Sequence, residues 1–173
     1  MSKFTGRGRR YQHSEQDSLF ERANKHWEEG KLQSAFRLFL ASAKAGDSGS
    51  QVNLGNFYID GIGVKANRAQ ALRWYRRAYL LGERSAASNI GLVFRDEQKL
   101  KYALRWFERA RDLGDGDANL EIAKIYIDKN DRVKATGYLK QALKANADDV
   151  TEGAKEEDNR LLKILKSGRD REK

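Results

Sequence analysis

Large and small apolar residues follow one another at helical spacing in this chain, and the pattern occurs four times. The four segments SAFRLFLASAKAGD, QALRWYRRAYLLGE, YALRWFERARDLGD and KATGYLKQALKANA superimpose without a gap. Their first alanines, Ala35, Ala71, Ala103 and Ala135, are 36, 32 and 32 residues apart. A large residue follows each alanine after four positions and a small one after seven, which places all three on one face of an α-helix. The chain therefore repeats a helical unit.

A second periodic segment precedes each of these helices. Its small residue is Ala23, Gly55, Gly91 or Ala123, and the second unit has four extra residues before the next helix. Each unit is therefore predicted to be a hairpin of two antiparallel helices with a short connection. Glycine inside a helix costs about 1 kcal/mol relative to alanine. We therefore expect Gly55 and Gly91 to face a closely approaching backbone, that of the alanines in the following helix.

Polar residues and glycines mark the ends of the predicted helices. Residues that tolerate left-handed backbone follow the second helices: Gly46, Gly82, Gly114 and Asn146. Candidate N-caps of the next hairpins are Asp47, Ser50, Asp115 and Asp117.

These patterns divide the chain into three parts. Residues 1–16 are polar and basic without apolar periodicity, and we expect them to be disordered. Residues 17–147 are predicted to form four repeats, at 17–46, 47–82, 83–114 and 115–147. Residues 148–173 are predicted to form a capping helix and a charged tail.

The predicted capping helix runs from roughly Glu156 to Ser167 and ends at Gly168. Its apolar stripe would consist of Leu161, Leu162, Ile164 and Leu165. The alternative is that this segment is a docking peptide for another molecule.

The second unit resembles a Sel1-like repeat, a relative of the tetratricopeptide repeat with a glycine-valine turn between its helices. The matching residues are Leu54, Gly55, Tyr58, Gly61, Gly63, Val64, Ala71, Trp74, Tyr75, Ala78 and Gly82. The third unit keeps the helix residues but lacks the turn, and the first and fourth units are closer to plain tetratricopeptide repeats. The resemblance implies an all-α fold, a right-handed α-α superhelix whose first helices line a concave groove. It also implies a non-enzymatic adaptor that binds a protein or peptide.

Aromatic residues recur at one place in the second helix, as Trp74 and Tyr75 and again as Trp106 and Phe107. We expect these side chains to pack between hairpins. The neighbouring arginines Arg73, Arg76 and Arg77 would then face the convex surface or the sides. They form either a solvated face or a set of phosphate contacts.

Counting from the small residue of each first helix predicts which residues line the groove. Three positions earlier are Phe20, Val52, Ser88 and Leu120; one position later are Asn24, Asn56, Leu92 and Lys124; four positions later are Trp27, Ile59, Arg95 and Ile127. Asparagines and bases lie among apolar residues in this set, so we expect it to bind an extended peptide with some acidic character. The alternative is that these residues are only the solvated inner surface of a superhelix.

The charge of the chain adds a second candidate function. The 173 residues carry a formal net charge of +9, and Arg7, Arg9 and Arg10 lie in the basic first segment. A protein associated with RNA or DNA, using these residues and the arginines of the second unit, is therefore the alternative to an adaptor. A self-assembling solenoid is a third possibility.

The composition argues against several classes of function. The sequence has two histidines and no cysteine, and it contains neither an HExxH motif nor a phosphate-binding loop. We therefore expect no catalytic residue, no metal site and no cofactor. The lack of cysteine, of an apolar span and of an apolar signal core favours a cytoplasmic protein without membrane contact.

Overall fold

A computed structural model describes residues 19–144 and 151–167 of the chain. Within these residues the secondary structure is helical and contains no β-strand. The helices are α1 (residues 19–28), α2 (Leu32–Lys44), α3 (Ser48–Asp60), α4 (Arg68–Leu80), α5 (Arg84–Asp96), α6 (Leu100–Asp112), α7 (Ala118–Asp128), α8 (Arg132–Lys144) and α9 (Glu152–Ser167). The predicted all-α fold of helical hairpins is confirmed. The predictions for residues 1–16, Asn146 and Gly168 fall outside the described residues.

The chain divides into two compact units, Met1–Glu83 and Arg84–Lys173. The described part of the first unit contains α1 to α4, and that of the second contains α5 to α9. In the second unit α9 packs against α8, which extends the series of packed helices beyond the last hairpin.

The core of the first unit is rich in aromatic rings. Phe39 and Phe57 are buried, with ring centroids 5.6 Å apart. Trp74 of α4 joins the same cluster, in which Ala23 of α1 and Ala35 of α2 have no exposed surface. Because these alanines are small, the helices can approach until the rings fill the space between them. The predicted packing of Trp74 between hairpins is therefore confirmed.

The glycines inside α3 and α5 face aromatic rings. A Cβ added to Gly55 would overlap the ring of Tyr75, and one added to Gly91 would lie 2.6 Å from Cε1 of Phe107. The expectation that these glycines meet the alanines of the next helix is therefore wrong, because the ring four residues beyond each alanine occupies that space. Tyr75 and Phe107 consequently pack within their own hairpins. Trp106 is only half-buried.

The turn between α3 and α4 accounts for the four extra residues of the second repeat, residues 47–82. It contains residues 61–67, whereas the turn between α5 and α6 contains residues 97–99. Gly61 and Gly63 adopt left-handed backbone, with φ of 71° and 63°. A Cβ on Gly63 would lie 2.9 Å from the carbonyl carbon of Leu32, so the turn folds closely onto the start of α2.

The predicted helix ends are largely confirmed, whereas the predicted caps are only partly so. Gly46, Gly82 and Gly114 have φ of 105°, 87° and 85° and follow the second helices. Asp47 accepts a hydrogen bond from Ser50 N at 2.6 Å and caps α3. Ser50 itself is buried inside α3 and is not a cap.

The start of α7 differs from the prediction. Asp117 stands at the N-cap position but forms no side-chain cap, because its carboxylate accepts from Thr151 N at 2.9 Å. Asp115 accepts from the backbone N–H of Asp117 and from the hydroxyl of Ser88. The cap of α4 was not predicted: Asn67 accepts from Gln70 N at 3.1 Å.

The last helix begins at Glu152, four residues before the predicted start at Glu156. Leu162 and Leu165 are buried in a cluster with side chains of α7 and α8, and Leu161 packs against that cluster. Ile164 is 55% exposed. Its inclusion in the apolar stripe was therefore wrong, because the helical rotation turns it to the side of the buried face.

A carboxyl group lies in the middle of this buried face. Asp158 is completely buried, and neither side-chain oxygen has a hydrogen-bond partner among the described residues. The pKa of its carboxyl is raised from 3.8 to about 6. Burial is the largest cause; the charges of Asp117 and Glu157 also raise the pKa, whereas Lys124 lowers it. Burial of the charged form without a hydrogen bond is unfavourable, so the ionised group destabilises the packing of α9.

Replacing Gly55 with alanine should lower the free energy of unfolding by about 1 to 3 kcal/mol, because the new methyl group would overlap the Tyr75 ring. Gly137 is the control, since it lies in α8 with no atom within 4 Å of an added Cβ. Gly137→Ala should raise stability by about 0.5 to 1 kcal/mol through helix propensity alone. Urea denaturation measures both. Equal effects at the two positions would contradict the glycine–ring contact.

Asp158→Asn should stabilise the protein in a pH-dependent way. Between pH 3.8 and about 6 the unfolded chain has lost this proton while the folded chain retains it. The wild type therefore loses stability across this range as pH rises, and the asparagine variant avoids that loss. The variant should be more stable by about 1 to 3 kcal/mol at pH 7.5 and similar at pH 3.5.

Denaturant unfolding from pH 3.5 to 8 measures this difference. Asp128→Asn, at an exposed carboxyl that ends α7, serves as the control and should show no such pH profile. A pH-independent difference for Asp158→Asn would mean that the pKa of this carboxyl is the same in the folded and unfolded chains, which would contradict the effect of its burial.

Candidate functional site

A pocket of about 320 Å³ lies between α1 and α3 in the first unit. Helix α1 contributes Asn24 and Trp27 to its lining, and α3 contributes Asn53, Asn56, Phe57 and Asp60. Asn24 and Trp27 are three residues apart, and Asn53, Asn56 and Asp60 follow one another after three and four residues. Each set therefore lies on one face of its helix, and the two faces meet across the pocket.

The apolar part of the pocket is built from aromatic side chains. Phe39 and Phe57 belong to the buried core and also contact the pocket. The ring of Trp27 leans against Phe57 with their centroids 5.1 Å apart. Trp27 remains 41% exposed although it is the largest side chain of α1. It therefore presents apolar surface to whatever enters the pocket.

The polar part of the pocket contains three asparagine amides. The hydroxyl of Tyr75 donates to Oδ1 of Asn56 at 2.7 Å, which orients that amide. Burial and, to a smaller extent, the charge of Asp60 raise the pKa of Tyr75, so its hydroxyl keeps its proton. Within the described part of the chain, the side chains of Asn24 and Asn53 form no hydrogen bond. Each can therefore donate to and accept from an extended peptide backbone.

The electrostatic character of the pocket is negative. Asp60 is exposed, and among the described residues that line the pocket it alone carries a charge. It is the last residue of α3, whose final turn contains no basic residue. Because the C-terminus of a helix is the negative end of its dipole, that end reinforces the charge of Asp60.

The corresponding surface of the second unit is occupied by internal ion pairs. Arg95 of α5 is at the repeat position of Trp27, and it pairs with Glu121 of α7, which is at the position of Asn53. Lys124, at the position of Asn56, binds the same carboxylate at 2.9 Å. The two bases predicted to attract an acidic partner are therefore already neutralised within the protein.

The structure brings together Asn24, Trp27 and Asn56 of the predicted groove residues, and it separates others from them. Phe20 packs edge-on against Phe39 with ring centroids 5.9 Å apart, so it belongs to the core. Val52 and Ile59 are half-buried and do not line the pocket.

In the second unit Leu120 is 5% exposed and belongs to a core cluster, against which the partly buried Ile127 packs. Ser88 donates its hydroxyl to Asp115, and Leu92 is half-buried. The inclusion of Leu120 in the groove is therefore corrected, because α7 turns this side chain towards α8 and α9.

Two polar pocket residues of α3 were missed from the sequence, Asn53 and Asp60. They lie two positions before and five positions after Gly55. The predicted groove residues lie three positions before, one position after and four positions after the small residue of each first helix. A helix face that includes Asn56 also includes residues three before and four after it. Choosing this face requires the rotation of α3 relative to α1, which spacing alone does not provide.

The arginines of α4 lie on the surface of the first unit, as predicted. Arg73, Arg76 and Arg77 are all exposed, and the guanidinium of Arg77 lies over the ring of Trp74, 4.7 Å from its centroid. Nothing in this arrangement favours nucleic acid over solvent. The other predicted phosphate contacts, Arg7, Arg9 and Arg10, lie outside the described residues.

The described residues contain no group of three acidic or histidine side chains that could hold a metal ion. His26 Nδ1 and the Ser34 hydroxyl are hydrogen-bonded at 2.7 Å. None of the helices in residues 19–144 and 151–167 combines the length and apolar character needed to cross a bilayer.

Comparison with protein families identifies the repeat. The family model for the Sel1 repeat matches residues 31–47, 48–83 and 85–115. The chain contains Sel1 repeats. The match confirms the resemblance seen in the second and third repeats, and it ends before α7. It also includes α2 of the first repeat, which was expected to be closer to a plain tetratricopeptide repeat. Repeats of the Sel1 type serve in general as scaffolds for protein–protein interaction.

Solved structures show the same solenoid fold. The Sel1 repeat protein from Oxalobacter formigenes is 25% identical with a TM-score of 0.65, over 75% of this chain and 56% of that one. The protective antigen c5321 of uropathogenic Escherichia coli, which has an SLR fold, is 19% identical with a TM-score of 0.65, over 73% and 30%. MamA is 22% identical with a TM-score of 0.60, over 75% and 77%.

The Sel1-like chain thus matches little more than half of the Oxalobacter formigenes protein and less than a third of c5321. No curated protein matches it in sequence.

Tyr75→Phe tests the hydrogen bond that orients Asn56. Loss of this bond should lower the free energy of unfolding by about 1 kcal/mol, since a partly buried amide oxygen loses the hydrogen bond that Tyr75 donates. Tyr102→Phe is the matched control, because Tyr102 is 54% exposed and its hydroxyl has no hydrogen bond with a described residue. Urea denaturation measures both variants. An equally small effect for both would mean that the Tyr75 hydroxyl does not hold Asn56.

Proposed function

We propose that this Sel1-like protein is a non-enzymatic adaptor that binds an extended peptide segment of a partner protein at the pocket between α1 and α3. Its general basis is the scaffold role of Sel1 repeats. Its specific basis is the pocket itself, where an exposed Trp27 stands beside the side-chain amides of Asn24 and Asn53. The cysteine-free composition supports a cytoplasmic setting for this adaptor.

The pocket residues suit a peptide because they combine two kinds of contact. Amides can bond to the N–H and C=O groups of an extended backbone whatever its side chains. Trp27 offers apolar surface that an inserted side chain can cover, and aromatic residues of this kind often dominate binding energy. The core behind it, with Phe57 buried, holds Trp27 in place.

The second unit supports the assignment by contrast. The same repeat positions carry Arg95, Glu121 and Lys124, which bind one another. A partner would have to break these ion pairs to reach the helix faces. We therefore assign the peptide contact to the first unit, and the expected acidic character of the partner, which rested on Arg95 and Lys124, loses its support.

A random peptide library displayed on phage tests the proposal. The full chain should select peptides whose binding falls at least about thirtyfold in a variant that combines Trp27→Ala and Asn24→Ala, because truncation of a central contact costs about 2 kcal/mol or more. Affinity is measured by titration of the synthetic peptides. Thermal unfolding verifies that the variant remains folded.

Tyr102→Ala provides the control, since it removes another exposed aromatic side chain from the second unit. It should leave peptide affinity unchanged. Peptides that bind the pocket variant as tightly as the wild type would refute the assignment to this pocket, and failure to select any peptide would refute the proposed function.

A further inference from the structure

We infer that the side chain entering the α1–α3 pocket is a cation, a lysine or arginine of the partner peptide. Its charged group would lie beside the carboxylate of Asp60, and its aliphatic stem would lie on the ring of Trp27. This inference rests on the proposed peptide-binding function and adds the chemistry of the peptide to it.

Charge complementarity is the first argument. Asp60 is the charged member of the described pocket lining, and no described basic side chain forms an ion pair with it. The last turn of α3 contains no basic residue, so no cation of this helix offsets the negative end of its dipole. An acidic side chain would be repelled here, whereas a cation would gain from both charges.

The ring of Trp27 is the second argument. The other two tryptophans each carry an internal cation: Arg77 lies 4.7 Å from the centroid of Trp74, and Arg109 lies 4.6 Å from that of Trp106. In the described part of the chain no arginine or lysine lies over Trp27, although its ring is 41% exposed. Tryptophan is the strongest aromatic partner for a cation, and its face also accommodates the aliphatic stem.

The second unit supplies the third argument. There the first helix α5 provides a cation, Arg95, that reaches a carboxylate on the next first helix, Glu121 of α7. In the first unit Trp27 and Asn53 stand at the repeat positions of Arg95 and Glu121, so this internal ion pair is absent. Asp60 of α3 is instead the carboxylate in the pocket lining, and the partner would supply the base.

Panning one random peptide library on three forms of the full chain tests this inference. The wild type and Asp128→Asn should both enrich peptides that contain lysine or arginine. Asp60→Asn should lose this enrichment. Asp128 is the matched control, because it ends α7 at the repeat position of Asp60 and is also exposed. Asp60 is exposed, so its replacement leaves the core intact.

A synthetic peptide from the wild-type selection then gives the quantitative test. Replacing its anchoring lysine with norleucine, or its anchoring arginine with citrulline, should weaken binding to the wild type by about tenfold. The same replacement should have little effect on Asp60→Asn, since the two changes remove one interaction. Binding to the wild type should also weaken as salt rises.

The outcomes separate the two proposals. Peptides that need Trp27 and Asn24 but carry no basic residue, or carry acidic ones, would overturn the cation inference and leave the peptide-binding function standing. Basic peptides that bind Asp60→Asn as well as the wild type would overturn the role of Asp60. If the wild type selects no peptide whose binding depends on Trp27 and Asn24, both proposals are overturned together.

Discussion

The contact between Gly55 and the ring of Tyr75 is the constraint on which the first unit depends. Because Gly55 has no side chain, the Tyr75 ring can lie directly against the backbone of α3 and become almost completely buried. In this position the Tyr75 hydroxyl donates a hydrogen bond to the side chain of Asn56, the residue after Gly55. One missing methyl group thus determines how closely α3 and α4 pack and how a pocket amide is oriented. Gly91 and Phe107 repeat the packing in the second unit without a hydroxyl, so there the contact is purely structural.

The two units show how one repeat supports different surfaces. Their buried positions follow the same small and large pattern, because helix packing limits which volumes fit. The partly exposed faces of α1 and α3, and those of α5 and α7, do not have to fit such fixed volumes. The first unit places amides, an aromatic ring and a single carboxylate there, whereas the second places charges that satisfy one another. Binding properties therefore belong to individual helix faces, and the repeat as a whole does not determine them.

Much of the fold could be predicted from the sequence because repeat spacing and helix periodicity are local properties. The hairpins, the extra residues of the second repeat and the ends at Gly46, Gly82 and Gly114 follow from them. Partners across helices could not be predicted in this way. Glu121 neutralises Arg95 although 26 residues separate them, and Asp158 occupies a buried face that its polarity argues against. Of the polar and aromatic pocket residues on α1 and α3, the sequence pattern predicted Asn24, Trp27 and Asn56. Predicting Asn53 and Asp60 would have required the orientation of α3 about its axis relative to α1.

The long turn between α3 and α4 has a consequence for binding thermodynamics. Gly63 rests against the backbone at Leu32, and Asn67 N donates to the carbonyl of Tyr58 at 2.7 Å, so the turn is tied both to α2 and to α3. The two hairpins of the first unit are thereby joined at a second place besides their connecting residues. The distance between α1 and α3 is therefore already fixed before a partner binds between them. Little conformational entropy is then lost on association, and a short peptide with few contacts can bind with useful affinity.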